Sequence, residues 1–526
     1  MSTNKSVVKS AGIIGIATLC SRILGLLRDI VIARIFGVYI YAQAFVVAFK
    51  IPNLLRDLVG EGATNAAFVP VFSEYRIRHN QEEFWELANV VLNLLLVILS
   101  VLVILGVIFS PLIVRLVAPG FMADPEKLSA TIKLNRLIFP YVLLISLAAY
   151  CMGILNSLKH FTVPAFAPCL LNISVIIFAL FFGEGIGGLA CGILIGGFLQ
   201  LAVQIPVLYR KGFRVNLFKR FHHPVANTIG KLMLPRLVSS GIYQLNSLVD
   251  SAFGSLAFMV GEGGVAGLYF AYRLIQFPMG IFSNALSQAI LPAFSVLAAE
   301  GQTDKLKETL SFGLRAVFLV MLPASVGFMV LAHPIIQAIF EGGRFDSYST
   351  HMTARVLFFY SIGLFAYGST KMLQSCFFAL KDTVTPTKVS ALALAMNIAL
   401  NAILMFPMKL SGLALATSLS GINTSLILFL LLRKRLMPFN VRPILSSFLR
   451  ILAASLSMGM VCYFLNGKGL TADSGIAEKA AGLVIMITLG VVSYVVFCFI
   501  FRVREMHEMW QWLIKKKNLI GLRTGA

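Results

Sequence analysis

The stretch "SRILGLLRDIVIARIFG", residues 21–37, decides how this chain is read. It lies in an apolar run from Ile13 to Phe36, long enough to cross a bilayer, since a spanning helix needs roughly 20 residues. Yet it carries Arg22, Arg28, Asp29 and Arg34. A charge at the middle of a membrane helix costs about 2.5–3.5 kcal/mol on insertion scales. At 100° per residue, Ser21, Arg22, Gly25, Arg28 and Asp29 fall within a sector of roughly 120°, which makes one polar face. Arg34 lies on the other side, close enough to the outer end to snorkel to the headgroups. A polar face inside hydrocarbon calls for a ligand or a partner.

The rest of the chain has the same character. Of its 526 residues 58% are hydrophobic and 13% charged, against roughly 25% charged in soluble domains. The expected fold is therefore an all-α polytopic membrane protein. About fourteen spans are expected, centred near residues 24, 48, 102, 145, 173, 198, 244, 280, 325, 365, 396, 422, 454 and 490. Lys5 and Lys9 precede the first span, so the N-terminus is expected inside, and an even count puts the C-terminus inside too. The loops then sort by charge. Basic stretches such as "YRKGFRVNLFKR" (209–220), "RKRLMPFNVRP" (433–443) and "KKK" (515–517) all fall inside. The net charge of +22 thus reads as topology and not as nucleic-acid binding. The first apolar segment is too long and too charged for a cleavable signal peptide. The seven cysteines lie in or beside spans without a CxxC pair, so neither a metal site nor a disulfide framework is expected.

The chain also repeats itself at an offset of about 222 residues. "AFK" (48–50) matches "AYR" (271–273), and "AFVPVFS" (67–73) matches "AILPAFS" (289–295). "SLKHFTVP" (157–164) matches "ALKDTVTP" (379–386), and "GLACGILIGGFLQ" (188–200) matches "GLALATSLSGINT" (412–424). Such an offset holds six spans, an even number, so the halves are parallel repeats, which typically surround a central site. The expected organisation is a six-helix bundle over 1–222, a second over 223–437, an unrepeated pair of spans over 438–503 and an amphipathic cytoplasmic tail over 504–526.

Charged and polar residues inside the spans mark the candidate site. The second span lines up Gln43, Lys50, Asp57 and Glu61, with Asn53 nearby; the direction of Arg56 depends on a kink at Pro52. The seventh aligns Arg236, Ser240, Tyr243, Ser247 and Asp250, where Arg236 starts the helix and reads as an interfacial anchor. The eighth aligns Tyr269, Arg273, Gln276, Gly280 and Ser287, and Lys371 adds a cation in the tenth. Asp250 stands near the repeat equivalent of Asp29, and Arg273 at that of Lys50. Asp29 and Asp250 either neutralise arginines in packing or serve the site. Cations outnumber acids, so pairing does not absorb them all. The expectation is a water-filled cationic cavity between two bundles that receives an anion.

"SRILGLLRDIVIARIFG", "AFVVAFKIPNLLRDLVGEGATNAAFVPVFSEY" (44–75) and "AYRLIQFP" (271–278) resemble the MurJ (MviN) family of lipid II flippases. That family belongs to the multidrug/oligosaccharidyl-lipid/polysaccharide exporter superfamily. The resemblance covers nearly the whole chain, including the two extra helices at its end. It implies a bacterial inner-membrane carrier that moves undecaprenyl-pyrophosphate-linked peptidoglycan precursor to the outer leaflet by alternating access, driven by membrane potential or an ion gradient. It also implies pyrophosphate-binding roles for Arg22, Arg28, Arg56 and Arg273. Ser21, Asp29, Lys50, Asn53, Glu61, Asp250, Gln276 and Lys371 are expected to line the cavity or its gate. Spans 13 and 14 would form a groove for the lipid tail. Lipid II, membrane lipids, a coupling ion and cell-wall synthesis proteins are the implied partners, with no cofactor, no metal and no nucleic acid.

Three positions depart from the family pattern. Gln43 stands where some members have Asp, Gln276 where they have Glu, and Asp57 replaces a basic residue. Ion coupling would then rest on Asp29, Glu61 or Asp250, or be absent. Rival readings remain in view. A polysaccharide-lipid exporter of the same superfamily also carries pyrophosphate, whereas drug exporters favour acidic cavities. An enzyme acting on polyprenyl pyrophosphate would need paired acid–base or metal-binding carboxylates. Asp57 and Glu61 come nearest, but no His or second carboxylate pair stands beside them. No P-loop is present, so ATP is not the expected energy source.

Overall fold

The computed structural model describes residues 3–56, 68–183, 185–217, 220–467 and 475–508. Asp57, Glu61 and the tail beyond residue 508 lie outside the described residues. Among those described, the regular structure is helical throughout.

Two compact units emerge. The first takes residues 1–266 and the short turn 342–346. Its helices are α1 (Thr3–Phe36), α2 (Ile40–Arg56), α3 (Val69–Arg78), α4 (Gln81–Ile108), α5 (Ser110–Val117), α6 (Pro125–Ile138), α7 (Tyr141–Ser157), α8 (Thr162–Phe182), α9 (Ile186–Ala202), α10 (Ile205–Arg210), α11 (Pro224–Gly254) and α12 (Ala257–Val260). The second takes 267–341 and 347–526. It holds most of α13 (Gly264–Pro278), then α14 (Asn284–Ala299), α15 (Thr303–Val330), α16 (Ala332–Phe340), α17 (Ser347–Ile362), α18 (Leu364–Ala379), α19 (Val384–Met408), α20 (Leu410–Arg435), α21 (Arg442–Asn466) and α22 (Ile476–Ile500). Helix α11, which the duplication counts as the start of the second half, lies in the first unit.

Each of the fourteen expected span centres falls inside a helical segment. Ten segments among the described residues are long and apolar enough to cross a membrane, and the bent pair α17–α18, with 44° between its halves, makes an eleventh. The three that remain are α1, α2 and α11; α1 carries the buried Arg28 and Asp29, and α2 is apolar but too short to qualify.

Two of the matched stretches take the same backbone turn. Lys159 and Lys381, 222 positions apart, both adopt φ 59° in the left-handed region. The His160 N–H donates to Leu155 O at 2.8 Å, and Asp382 N–H to Phe377 O at 2.9 Å, so both helices end in the same left-handed cap. A non-glycine residue in this region costs about 1 kcal/mol or more, and the same cap closes α22, where Arg502 has φ 52° and Val503 N–H donates to Cys498 O at 2.8 Å.

In the first unit α8 packs against both α1 and α9. Its approach to α9 needs glycine: a Cβ at Gly192 would lie 2.9 Å from Val175 Cα, and one at Gly196 equally close to Leu171 Cα. Small residues let membrane helices meet backbone to backbone, and Ser174 Oγ donates across the seam to Gly192 O at 2.8 Å. In the second unit α21 packs on α15 and α22. Arg315 of α15 and Ser447 of α21 both donate to Glu505 Oε1, at 2.6 and 2.7 Å, beyond the end of α22.

Helix α11 begins on a pH-sensitive cap. Val225 N–H donates to His223 Nδ1 at 3.2 Å, which requires that nitrogen to be unprotonated. The other ring nitrogen faces Tyr75 Oη at 3.3 Å. Burial pushes the His223 imidazole below its ordinary value of 6.5; Glu83 and Glu86 oppose that shift, while His79 and His222 add to it. A lowered folded pKa means the stabilisation is complete above about pH 6.5 and is lost as pH falls through the folded value. The melting temperature should therefore drop between pH 7.5 and 5.5. His223→Asn, which keeps a capping acceptor without titrating, should remove that component of the drop.

Candidate functional site

Arg28 and Asp29 of α1 are joined side chain to side chain, and a distant helix completes their network. Arg28 is 4% exposed and Asp29 fully buried. Arg28 Nε and Nη2 donate to Asp29 Oδ1 at 3.0 and 2.8 Å. Arg28 Nη1 donates to Asn172 Oδ1 of α8 at 3.1 Å. Asn172 Nδ2 in turn donates to Ser21 O at 3.1 Å. The guanidinium carbon stands 5.9 Å from the centroid of the Phe49 ring, within cation–π reach. Phe49 is stacked on Phe45 and packed against Tyr141, so this wall is rigid. Arg22 and Ser21 are half-buried on the same helix.

A second constellation joins α2 to α11. Lys50 Nζ donates to Ser247 O and to Ser251 Oγ. Asp250 lies on the same stretch, within electrostatic reach of the ammonium. Sequence analysis placed Lys50, Ser247 and Asp250 on polar faces of the second and seventh spans, and the structure brings them together. Gln43 is buried and Asn53 half-buried on α2. Arg56 is the last residue of that helix, which runs through Pro52; its side chain lies outside the described residues.

In the second unit Arg273 is half-buried on α13, and its Nη1 lies 3.4 Å from Gln276 Oε1. After Pro278 the helix widens into a π-turn, Met279–Ser283, before α14 begins. This extra width breaks the 100° count that placed Gly280 and Ser287 on the face of Arg273. Lys371 is half-buried on α18. Sequence reasoning passed over two features. One is Asn172, whose only signal was an amide in the otherwise apolar run "APCLLNISVII". The other is a buried chain in which Asn401 donates to Asn397 and Asn397 to Thr417, at 3.0 and 3.2 Å.

Chemically, the α1 site offers guanidinium N–H groups held in fixed directions on a buried face of a long helix. Such donors suit phosphate or carboxylate oxygens, which accept from Arg in bidentate fashion. A family model described as "Lipid II flippase MurJ" matches residues 32–474. A protein of Buchnera aphidicola subsp. Acyrthosiphon pisum described as "Probable lipid II flippase MurJ" is 39% identical over 432 residues, 80% of this chain and 82% of the relative. The solved structure "Lipid II flippase MurJ, inward closed conformation" superposes with a TM-score of 0.78 at 29% identity, covering 93% of this chain and 98% of that one. An inward-facing multidrug-resistance MATE family transporter of the MOP superfamily shares the fold, with a TM-score of 0.68 at 17% identity over 79% of this chain and 94% of that one.

Proposed function

The chain belongs to the lipid II flippase MurJ family, and from that membership we propose that it carries lipid II from the cytoplasmic to the outer leaflet of the bacterial inner membrane. The observation that carries this reading is Arg28, a guanidinium inside a spanning helix with its donors oriented by Asp29 and Asn172. A bare pyrophosphate does not cross hydrocarbon, because an unpaired buried charge costs far more than a lipid tail recovers. Oriented N–H donors replace the water that the headgroup leaves behind.

We assign the pyrophosphate oxygens to Arg22, Arg28 and Arg56 in the first half of the duplication and to Arg273 in the second. Ser21, Asn53, Gln276 and Lys371 supply further polar contacts, while Lys50 and Asp250 hold α2 to α11 in the state seen here. Glu61 belongs to the gate. Helices α21 and α22 guide the lipid tail. Both termini are cytoplasmic, and the headgroup passes by alternating access. Moving one negative charge outward gains about 2.3 kcal/mol per 100 mV of an inside-negative potential. Membrane potential is therefore a sufficient drive, and a coupled cation would add to it. The protein acts as a carrier and leaves its cargo chemically unchanged.

Complementation tests this directly. Expressed in a bacterium depleted of its own lipid II flippase, the chain should restore growth and rod or coccal shape. Rescue of a strain lacking a polysaccharide-lipid flippase, with none of the lipid II strain, would reassign the cargo.

A further inference from the structure

Arg28 does not stand alone, and the identity of its neighbours limits what it can offer a ligand. Asp29 Oδ1 accepts from both Nε and Nη2, so the guanidinium charge is largely neutralised at short range. Attraction between a phosphate and a neutralised pair is weak at a distance. What Arg28 then contributes is direction, because a hydrogen bond weakens steeply once its donor is misaligned. Whatever fixes the guanidinium plane fixes the strength of recognition.

That role falls to Asn172. Its carbonyl accepts from Arg28 Nη1, and its NH2 group is committed to Ser21 O, seven residues earlier on the same face of α1. The amide therefore has one workable orientation, with its oxygen toward the arginine. It is 7% exposed, and α8 is seated by the glycine contacts with α9, so the acceptor cannot drift. A neutral amide orients the guanidinium without cancelling more of its charge. An Asp at this position would surround Arg28 with two carboxylates.

We propose that Asn172 is a positioning residue for pyrophosphate recognition, acting through Arg28. This rests on the flippase reading above and adds to it a residue on the fifth span. The alternative is that Asn172 merely packs α8 against α1.

The two are separated by a double-mutant cycle on the full-length protein in detergent, with undecaprenyl pyrophosphate as the probe and native mass spectrometry as the readout. Asn172→Ala should weaken binding about tenfold in the Arg28 background, the scale of one hydrogen bond to a charged group. In the Arg28→Lys background the same change should cost less than about twofold, since an ammonium has no plane to orient. Equal losses in both backgrounds would overturn the proposal. Asn172→Leu gives an independent check should the Ala variant fail to accumulate. It keeps nearly the side-chain volume but has no acceptor, so a packing role predicts nearly unchanged binding, whereas positioning predicts a loss about as large as that of Ala. Near-normal binding by Asn172→Leu would therefore also overturn the role. If the unsubstituted protein binds no undecaprenyl pyrophosphate, the flippase reading falls first and this role falls with it.

Discussion

Arg28→Ala is expected to abolish growth rescue in a flippase-depleted strain and to lower the melting temperature as well. Two effects combine. The substitution removes the donors proposed to grip pyrophosphate, and it takes from the fully buried Asp29 a counterion at 2.8 Å. Breaking a buried ion pair from one side typically costs about 3–5 kcal/mol. Loss of function alone would thus be ambiguous. The informative variant is Arg28→Ala combined with Asp29→Asn, which removes both charges. It should recover much of the stability and accumulate in the membrane, yet still fail to rescue growth. Rescue by that double variant would show that the pair serves packing and that the substrate does not need Arg28.

Arg273 is the counterpart in the second half of the duplication, half-buried on α13 with its Nη1 3.4 Å from Gln276 Oε1. Arg273→Ala should fail complementation while the protein still accumulates in the membrane, because the second half would lose its proposed grip on the phosphates. Arg273→Lys refines the point. The repeat equivalent is Lys50, so a point charge is tolerated at the related position. An ammonium attracts the headgroup but cannot reproduce a planar fork. Arg273→Lys should keep measurable binding of lipid II and transport it about tenfold more slowly. Combined with Arg28→Lys, the losses should be non-additive if both arginines hold one ligand. Additive losses would mean that the two residues act at separate steps.

How much of this was legible in the sequence follows from the range of each interaction. Spans announce themselves by local hydropathy, so every expected centre falls in a helix. Periodicity puts Arg28 and Asp29 on one face of α1, and their side chains are hydrogen-bonded to each other; Ser21 meets the network only through its backbone carbonyl. The match between "SLKHFTVP" and "ALKDTVTP" extends to a shared cap, with the same φ at Lys159 and Lys381. Periodicity ends where partners come from far away. Asn172 lies 144 residues from Arg28, and no pattern within either helix links them. The π-turn after Pro278 has no repeat of its own to reveal it, and it shifts the faces that a straight helix would present. The ties between Arg315, Ser447 and Glu505 are equally invisible, since three separate elements contribute one group each. Charge at a span signals that a site exists; the partners that shape it emerge only in three dimensions.

The most direct test of the central claim follows the cargo itself. In cells whose only lipid II flippase is this protein, lipid II should become accessible to a membrane-impermeant headgroup-modifying reagent added outside. Collapsing the membrane potential should reduce that accessibility. Lipid II that stays protected from the reagent while the protein is abundant in the membrane would contradict the account.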